Sequence, residues 1–203
     1  MMHTEKAIKR IGITGSIGAG KTLVSDYLRR RGYTVICADR VTREVSRPGE
    51  PGHAAIMKAF GERFFDENGE LDRKKFSRYI FADRKRVDTL NQLLHPVIWD
   101  NVQKKAMRAE GTVFIDAALL IEGGFLKDVD QVWLVTADEE TRIDRLKKRG
   151  AGDMQNISKR MAAQMPDAEK IKYADVVIDN SGEKARTYEQ IEDELRKYHL
   201  WAG

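Results

Sequence analysis

One eight-residue segment, Gly15–Thr22, constrains the fold of this chain more than any other part of the sequence. It reads Gly-Ser-Ile-Gly-Ala-Gly-Lys-Thr and matches the pattern G-x-x-x-x-G-K-[ST], in which backbone amides surround phosphate oxygens. An apolar, strand-like run at 8–14 precedes it, and a helical pattern from Lys21 to about Arg31 follows it, with Gly32 as the stop. Because both flanking elements are present, we prefer a phosphate-binding loop to a chance match in an ordinary turn between a strand and a helix.

The residue types of this loop predict a site for a purine nucleoside triphosphate and Mg²⁺. Glycines allow the chain to pass close to an anion, and the N-terminus of the following helix attracts negative charge. Lys21 is expected to bridge the β- and γ-phosphates, and the hydroxyl of Thr22 is expected to be a ligand of Mg²⁺. The predicted nucleotide-binding residues are therefore Gly15, Ser16, Ile17, Gly18, Ala19, Gly20, Lys21 and Thr22.

Short apolar runs alternate with longer helical patterns along the chain, which predicts βαβ units and a parallel sheet. Each run is nearly continuously hydrophobic, as expected of strands that helices cover on both faces. The predicted fold class is α/β: a P-loop three-layer sandwich with a five-stranded parallel sheet, an inserted helical substrate lobe and a helical lid. The predicted strands are 8–14, 33–38, 112–116, 130–136 and 175–179.

The length of 203 residues predicts a single domain. Its core is expected at about 7–52, 111–137 and 173–203. The helical pattern at about 53–110 is too long for one crossover helix and predicts the inserted substrate lobe, with a helix boundary at His95-Pro96. A second helical stretch at about 138–165, interrupted near 150–153, predicts a lid made of two helices.

Composition and charge exclude several classes of protein. No apolar run approaches the ~20 residues that a membrane-spanning helix needs, and the charged start MMHTEKAIKR lacks the apolar centre of a signal peptide. A single cysteine rules out an internal disulfide and a zinc site built from several cysteines, so a cytoplasmic location is expected. The net charge of +4 suits an anionic ligand, whereas a nucleic acid is not expected, because basic residues are mixed with acidic ones in most segments.

Two aspartates end predicted strands, and in an open parallel sheet the carboxyl ends of neighbouring strands face one crevice. Asp39 is expected to accept a proton from an acceptor hydroxyl or to hold a water molecule on Mg²⁺. The alternative is that Asp39 caps a helix beginning at Arg40 or Val41. Asp116 is followed by Ala117 rather than by a glutamate, which favours transfer to a bound acceptor over hydrolysis.

Three arginines share one face of a predicted lid helix, at positions i, i+3 and i+7: Arg142, Arg145 and Arg149. Such a face can bring guanidinium groups to a phosphoryl group during its transfer. The alternative is an ordinary solvated face paired with neighbouring acidic residues. Arg160 is a weaker candidate of the same kind.

The ordered set of motifs resembles the dephospho-coenzyme A kinase family over most of the chain, from about residue 8 to residue 182. The motifs that carry the resemblance are Thr14–Thr22, Cys37-Ala38-Asp39, Leu71-Asp72-Arg73, Leu90-Asn91 with His95-Pro96, Ala118-Leu119-Leu120-Ile121-Glu122, and Ala174-Asp175-Val176-Val177-Ile178-Asp179-Asn180. Two positions depart from the family pattern: Cys37 replaces the first Asp of Asp-Ala-Asp, and Ala118 replaces the Pro before Leu-Leu. Because side chains alternate along a strand, Cys37 and Asp39 are expected to point the same way.

The resemblance implies ATP-dependent phosphorylation of the ribose 3′-hydroxyl of dephospho-CoA, with ATP and Mg²⁺ required. It implies that Asp39 is the general base, that Lys21 binds the triphosphate, that Arg145 is a lid arginine in contact with phosphate, and that Asn180 lies near the adenine. Arg142 and Arg149 are expected to help bind the nucleotide. The expected acceptor-binding residues are Thr14, Asp39, Arg43, His95, Leu119 and Glu122.

Other functions are compatible with the loop alone. A kinase for a nucleoside monophosphate or another small hydroxylated metabolite would use the same residues. A GTPase switch is disfavoured because none of the five asparagines begins an Asn-Lys-x-Asp pattern, and a nucleic-acid-dependent ATPase is disfavoured by the scattered charge. The expected partner is the small molecule dephospho-CoA, with no nucleic acid and no membrane, and the protein is expected to be a monomer or a weak homo-oligomer.

Overall fold

The computed structural model describes residues 9–150, 154–162 and 164–203. Three features considered above lie outside the described residues: Ile8 of the first strand, the centre of the predicted lid break at 151–153, and the side chain of Arg160. None of the helices in the described ranges combines the length and the apolar character that crossing a membrane requires.

The strands form one five-stranded parallel sheet, which confirms the predicted fold class. Its spatial order is β2-β3-β1-β4-β5. Each strand lies within one or two residues of a predicted run: β1 (Arg10–Thr14), β2 (Thr34–Cys37), β3 (Val113–Asp116), β4 (Gln131–Thr136) and β5 (Val176–Asp179). The runs predict the strands well because parallel strands are covered on both faces and need apolar side chains throughout.

Strand β1 occupies the centre of the sheet, where Ile13 pairs with Asp116 of β3 on one side and with Trp133 of β4 on the other. The chain leaves β1 toward β2 on one side of the sheet and leaves β3 toward β4 on the other. Ligands of open parallel sheets bind at such a reversal of strand order, beyond the carboxyl ends of the strands. The topology therefore places the phosphate loop and the end of β3 at the position where a ligand is expected.

The helices connect and cover these strands. Helix α1 ends at Arg30, and Gly32 follows it with a φ of +87°, which confirms the predicted stop. In the described part of the chain, the α-helices are α1 (Lys21–Arg30), α2 (Ala38–Val45), α3 (Pro51–Phe60), α4 (Arg73–Phe81), α5 (Arg84–Met107), α6 (Glu139–Lys148), α7 (Met154–Ala162), α8 (Asp167–Lys170) and α9 (Lys184–Lys197).

The chain divides into two compact units. The sheet unit comprises the described residues up to Ile36 together with Arg108–Gly203, and the helical unit comprises Cys37–Met107. Helix α2, which the sequence prediction assigned to the core at 7–52, is part of the helical unit, where it packs against α3 and α5. The helical unit thus begins at Cys37, the last residue of β2.

Each unit has its own apolar core. In the sheet unit, Phe114 and Trp133 from neighbouring parts of the sheet are fully buried and make an edge-to-face contact with ring centroids 5.3 Å apart. In the helical unit, Phe76 lies between Phe60 and Phe64, at centroid distances of 5.4 and 5.2 Å. Full burial of side chains of this size contributes about 1.5–3 kcal/mol each.

The predicted helix boundary at His95-Pro96 is wrong, because α5 runs without interruption through Pro96. Proline removes one hydrogen-bond donor from a helix interior and normally bends or ends the helix. Helix α5 packs against α2, α3 and α4 and buries Leu94 and Trp99 on either side of the proline. This tertiary packing holds the helical conformation where the local sequence disfavours it.

Candidate active site

The phosphate loop joins β1 to α1 and takes a conformation that requires glycine at several points. Gly18 and Gly20 have φ values of +85° and +93°, in the left-handed region that disfavours side chains. Gly20 is also the N-cap residue of α1, and a Cβ atom there would lie 2.1 Å from Asn180 Nδ2. A Cβ atom at Gly15 would lie 2.4 Å from the carbonyl oxygen of Val135. Gly15 and Gly20 thus let the loop pack directly against β4 and against the residue that follows β5.

Lys21, the first residue of α1, reaches the end of β3. Its Nζ lies 2.8 Å from Asp116 Oδ1. The hydroxyl of Ser25, one turn further along α1, donates to Asp116 Oδ2 at 2.7 Å. Asp116 is the last residue of β3, so the sheet fixes this carboxylate beside the loop. Because Thr22 follows Lys21 and is exposed, the start of α1 groups a cation, a carboxylate and a hydroxyl.

Arg145 and Asn180 hold the second half of the loop. Asn180 is buried; its Nδ2 donates to the carbonyl oxygen of Ala19 at 2.8 Å, and its Oδ1 accepts from Thr187 Oγ1 at 3.0 Å. Arg145 Nη1 donates to the carbonyl oxygens of Gly18 and Ala19 at 3.4 and 3.2 Å, and its Nη2 donates to that of Asn180 at 2.7 Å. The structure thus brings both predicted residues to the loop. A place for Asn180 near the adenine is supported by the family resemblance alone.

Arg142 contacts the first half of the loop. Its Nε donates to the carbonyl oxygen of Ile17 at 3.0 Å, and its Nη1 lies 3.3 Å from Asp167 Oδ2. The hydroxyl of Ser16 donates to the other oxygen of Asp167, and the backbone N–H of Ile17 donates to Gln164 Oε1 at 2.7 Å. The segment around α8, and not only the lid arginines, therefore touches the loop.

Arg149 differs from the other two arginines. It is the C-cap residue of α6, and its side chain is exposed. Within the described ranges it makes no hydrogen bond to the loop, because it lies a full turn beyond Arg145, where α6 ends. For Arg149 the structure fits the alternative of a solvated face, like the neighbouring surface pair of Lys148 and Asp144 at 2.7 Å. A part for Arg149 in nucleotide binding stays a prediction.

The predicted acceptor-binding residues of the sheet unit lie at the end of β1 and in the segment after β3. Thr14 Oγ1 donates to the carbonyl oxygen of Ala118 at 3.2 Å, and Leu119 is exposed. Glu122 Oε1 lies 3.0 Å from the Nζ of Lys170, whose side chain is 0% exposed. Thr14 and Glu122 thus have partners within the protein, whereas Leu119 presents its side chain to solvent.

The segment after β3 passes very close to β1. A Cβ atom at Gly12 would lie only 2.3 Å from Leu120 Cδ2, and both residues are buried. A Cβ atom here would therefore force the Leu120 side chain to move, so glycine leaves the room for this close packing, although its φ is ordinary for a strand. The close approach brings Ala118 within reach of Thr14.

Asp39 is the second residue of α2 and not a strand residue, so the strand alternation on which its expected orientation relative to Cys37 rested does not apply. The strand ends at Cys37, which is partly buried and serves as the N-cap of α2 without a side-chain hydrogen bond. The alternative that Asp39 caps a helix starting at Arg40 or Val41 is wrong, because α2 begins at Ala38. Asp39 is exposed in the first turn, where the helix dipole favours a negative charge.

Arg43, also on α2, lines a cavity of about 290 Å³ within the helical unit. The lining is mostly apolar and includes the guanidinium groups of Arg43 and Arg73. The two residues are in contact, because Arg73 Nη2 donates to the carbonyl oxygen of Arg43 at 3.4 Å. The full set of lining residues is Thr42, Arg43, Ser46, Ile56, Leu71, Arg73, Phe76, Ser77, Ile80, Phe81, Leu90 and Leu94.

His95 lies in the middle of α5 and is half-buried. Burial lowers the pKa of its imidazole below the ordinary value, because the charged form loses hydration. Burial at this position therefore disfavours the charged imidazolium of His95, and its part in acceptor binding stays a prediction.

Sequence reasoning did not single out four residues that the structure brings into this region: Ser25, Gln164, Asp167 and Lys170. Ser25 could have been found, because it lies one helical turn beyond the loop lysine and shares its face. Asp167 follows Pro166, a pair typical of a helix N-terminus, but nothing local indicates that its carboxylate reaches the loop. The contacts of Gln164 and Lys170 join residues that are distant in sequence, so no local pattern predicts them.

Comparisons with known proteins agree with this geometry. A sequence model of the family described as dephospho-CoA kinase matches residues 9–186. A dephospho-CoA kinase from Shouchella clausii is 42% identical over 192 residues, covering 93% of this chain and 98% of the relative. The crystal structure of TT1252 from Thermus thermophilus superposes with a TM-score of 0.82 at 30% identity, covering 95% of this chain and 98% of that one. A dephospho-CoA kinase from Campylobacter jejuni shares the fold, with a TM-score of 0.62 at 19% identity over 93% of this chain and 96% of that one. The chain therefore belongs to the dephospho-CoA kinase family.

Proposed function

We propose that this protein transfers the γ-phosphoryl group of ATP to the ribose 3′-hydroxyl of dephospho-CoA and releases coenzyme A and ADP. The observation that carries the proposal is the phosphate loop with Lys21 2.8 Å from Asp116, in a chain of this family. In the reaction the bond between the γ-phosphorus and the β,γ-bridging oxygen breaks, a bond from that phosphorus to the 3′-oxygen forms, and the hydroxyl proton leaves to a base.

The loop residues supply the nucleotide site in this proposal. Lys21 exchanges the carboxylate of Asp116 for phosphate oxygens, and the N-terminus of α1 adds the favourable end of the helix dipole. Among the described residues, Arg145 donates only to carbonyl oxygens and forms no ion pair, so none of the carboxylates described there neutralises its charge. It is thus the lid arginine best suited to stabilise charge on the phosphoryl group during transfer.

The residues at the start of α1 fit Mg²⁺. Magnesium prefers oxygen ligands, and it is usually held by phosphates and water with only one or two protein oxygens. Thr22 offers a hydroxyl, and Asp116 is the nearby carboxylate. Within the described ranges no cluster of three or more acidic, histidine or cysteine side chains suits a metal, so Mg²⁺ would arrive with the nucleotide. When bound, it neutralises phosphate charge.

Asp39 is the proposed general base. It lies two residues beyond the end of β2 and is exposed, so its carboxylate is able to meet a substrate hydroxyl. It is not the N-cap residue of α2, so capping does not account for an acidic residue at this position, although the helix dipole favours its charge there. Because phosphoryl transfer depends mainly on positioning, its main task is to hold the 3′-hydroxyl in line with the phosphorus.

The helical unit is the proposed place for the rest of the acceptor. Dephospho-CoA carries a diphosphate followed by a long pantetheine arm of weak polarity. The cavity beside Arg43 combines an apolar lining with hydroxyl groups and two guanidinium groups, which suits an apolar arm next to a diphosphate. This match supports the prediction that Arg43 binds the acceptor.

The direct test is mass spectrometry of dephospho-CoA after incubation with the protein, ATP and Mg²⁺. The expected product has gained one phosphate at the 3′-position. A panel of acceptors that contains nucleoside monophosphates is measured under the same conditions. If a nucleoside monophosphate is phosphorylated and dephospho-CoA is not, the acceptor assignment is wrong although the nucleotide site stands.

The role of Asp39 is tested by Asp39→Asn, which preserves size and removes the basic carboxylate. We expect kcat to fall by about 10²–10⁴-fold, the usual contribution of a general base, with ATP affinity nearly unchanged. The matched control is Asp88→Asn, an exposed aspartate of the same helical unit, which should leave kcat unchanged. Full activity of Asp39→Asn would exclude the role as base.

A further inference from the structure

Helix α8 has only four residues, but two of them contact distant parts of the sheet unit. Asp167 and Lys170 lie at positions i and i+3, on one side of the helix. Asp167 reaches the phosphate loop and Arg142, while Lys170 reaches Glu122 in the segment that follows β3. The helix therefore connects the loop, the lid helix α6 and the chain beyond β3.

Asp167 closes a ring of polar contacts around the first half of the loop. One of its oxygens accepts from the hydroxyl of Ser16, and the other pairs with Arg142 Nη1 at 3.3 Å. Arg142 returns to the loop, because its Nε donates to the carbonyl oxygen of Ile17 at 3.0 Å. Gln164 adds a fourth contact by accepting from the N–H of Ile17 at 2.7 Å. Ser16 is thus held through its side-chain hydroxyl, and Ile17 through its backbone N–H and carbonyl oxygen.

The position of Asp167 is itself fixed from the other end of the helix. Lys170 is fully buried and pairs with Glu122 at 3.0 Å, so its ammonium group cannot leave without losing the partner of a buried charge. Displacing α8 would separate this buried ammonium group from its counter-charge, which opposes the displacement. The ring around Ser16 is therefore attached to a helix that a buried ion pair anchors.

A carboxylate beside a loop that binds a polyanion needs an explanation, since electrostatic repulsion alone would weaken nucleotide binding. Here Asp167 neutralises Arg142, and it does so while orienting Ser16. Arg145 makes no ion pair in the described part of the chain. Both lid arginines thus donate to loop carbonyl oxygens, but among the described residues only Arg142 also pairs with a carboxylate.

We propose that Asp167 is a positioning residue that, through Ser16 and Arg142, holds the first half of the phosphate loop in its nucleotide-binding conformation. This inference rests on the proposed nucleotide site but not on the identity of the acceptor. It makes an unusual prediction: removing a negative charge next to an anion site weakens the binding of the anion.

The test measures the affinity of the protein for ATP and for ADP by calorimetry, without any acceptor, in Asp167→Asn. We expect both dissociation constants to rise about tenfold, the effect of losing one hydrogen bond to a charged group. The matched control is Glu169→Gln in the same helix, whose partner is the exposed Lys172; its dissociation constants should stay within about twofold of wild type. Affinity equal to or tighter than wild type in Asp167→Asn would overturn the proposal.

A second variant separates positioning from a general loss of structure. Ser16→Ala removes a single contact of Asp167 and is not expected to affect folding, so the proposal predicts a smaller loss of nucleotide affinity than in Asp167→Asn. In the double variant Asp167→Asn/Arg142→Gln, the loss should be no larger than in the worse single variant, because both act on the same ring. Independent, additive losses or an unchanged affinity in Ser16→Ala would each contradict the assignment. Failure of dephospho-CoA as an acceptor would leave this nucleotide-binding test unaffected.

Discussion

The pair formed by Lys170 and Glu122 allows a quantitative prediction of stability. The Lys170 side chain is 0% exposed and that of Glu122 is 22% exposed, with 3.0 Å between Nζ and Oε1. Glu122→Met keeps the length of the side chain and leaves the ammonium group buried without its counter-charge. Breaking a buried pair in this way costs about 3–5 kcal/mol. We expect about 3 kcal/mol in the free energy of unfolding, because water reaches the Glu122 side of the pair.

The measurement is urea unfolding followed by tryptophan fluorescence and circular dichroism, with thermal unfolding alongside. For a chain of this length, 3 kcal/mol corresponds to a fall in Tm of roughly 6–12 °C. Lys170→Met removes the buried charge and leaves a carboxylate that water can reach, so its cost should be about 1–2 kcal/mol.

The double variant Lys170→Met/Glu122→Met tests whether the cost of Glu122→Met comes from leaving the Lys170 charge buried without a partner. Replacing both charges by apolar groups of similar shape is often neutral or stabilising, so the double variant should be more stable than Glu122→Met alone. Glu169→Met, which breaks the exposed pair with Lys172, serves as the control and should cost no more than about 1 kcal/mol. If Glu122→Met costs no more than this control, or if the two single effects simply add, Lys170 is not a buried charge that depends on Glu122.

Two further predictions concern the loop and the lid. Gly20→Ala would place a Cβ atom 2.1 Å from Asn180 Nδ2 at a φ of +93°, so this variant should lose roughly 1–3 kcal/mol of stability and most of its nucleotide affinity. The control Gly182→Ala has open space around its Cβ and should change neither quantity. If the two variants bind nucleotide and melt alike, the steric argument is refuted. Hydrogen bonds from the backbone N–H and the hydroxyl of Thr141 lower the pKa of Asp138, the N-cap of α6, below its ordinary value of 3.8. The stabilisation of the fold by ionised Asp138 is present above the ordinary pKa and is lost as the pH falls through the lowered pKa. The stability of Asp138→Ala should therefore fall less steeply with decreasing pH than that of wild type below about pH 4. Identical slopes in acid titrations followed by circular dichroism would show that the cap contributes nothing.

The sequence predicts the sheet and the loop because their signals are local. An apolar run before Gly15 and a helical pattern after Lys21 are enough to place the loop at the end of β1, and the remaining strands are apolar for the same reason. Pro96 shows where local reasoning fails, since tertiary packing on both sides keeps α5 helical through a residue that normally ends a helix. Asp39 shows a second failure, because α2 starts one residue before it and removes the strand alternation on which its orientation was based.

The side-chain contacts of the site could be predicted only in part. Helical spacing correctly brings Arg142 and Arg145 to one face, but it cannot tell where α6 leaves the loop, and Arg149 lies beyond that point. The carboxylate that pairs with Arg142 comes from Asp167, 25 residues further along the chain. Such a pair depends on the tertiary arrangement of α6 and α8 around the loop, which the periodicity of the sequence does not predict.

The missing side chain of Gly12 has a consequence for the chemistry at some distance from it. A hydrogen atom instead of a methyl group at the centre of the sheet lets Leu120 lie directly on β1. Two residues further along, the same segment carries Glu122, whose carboxylate pairs with the buried ammonium group of Lys170. The smallest residue of the central strand thus leaves room for the segment that bears one half of this ion pair to pack against the sheet.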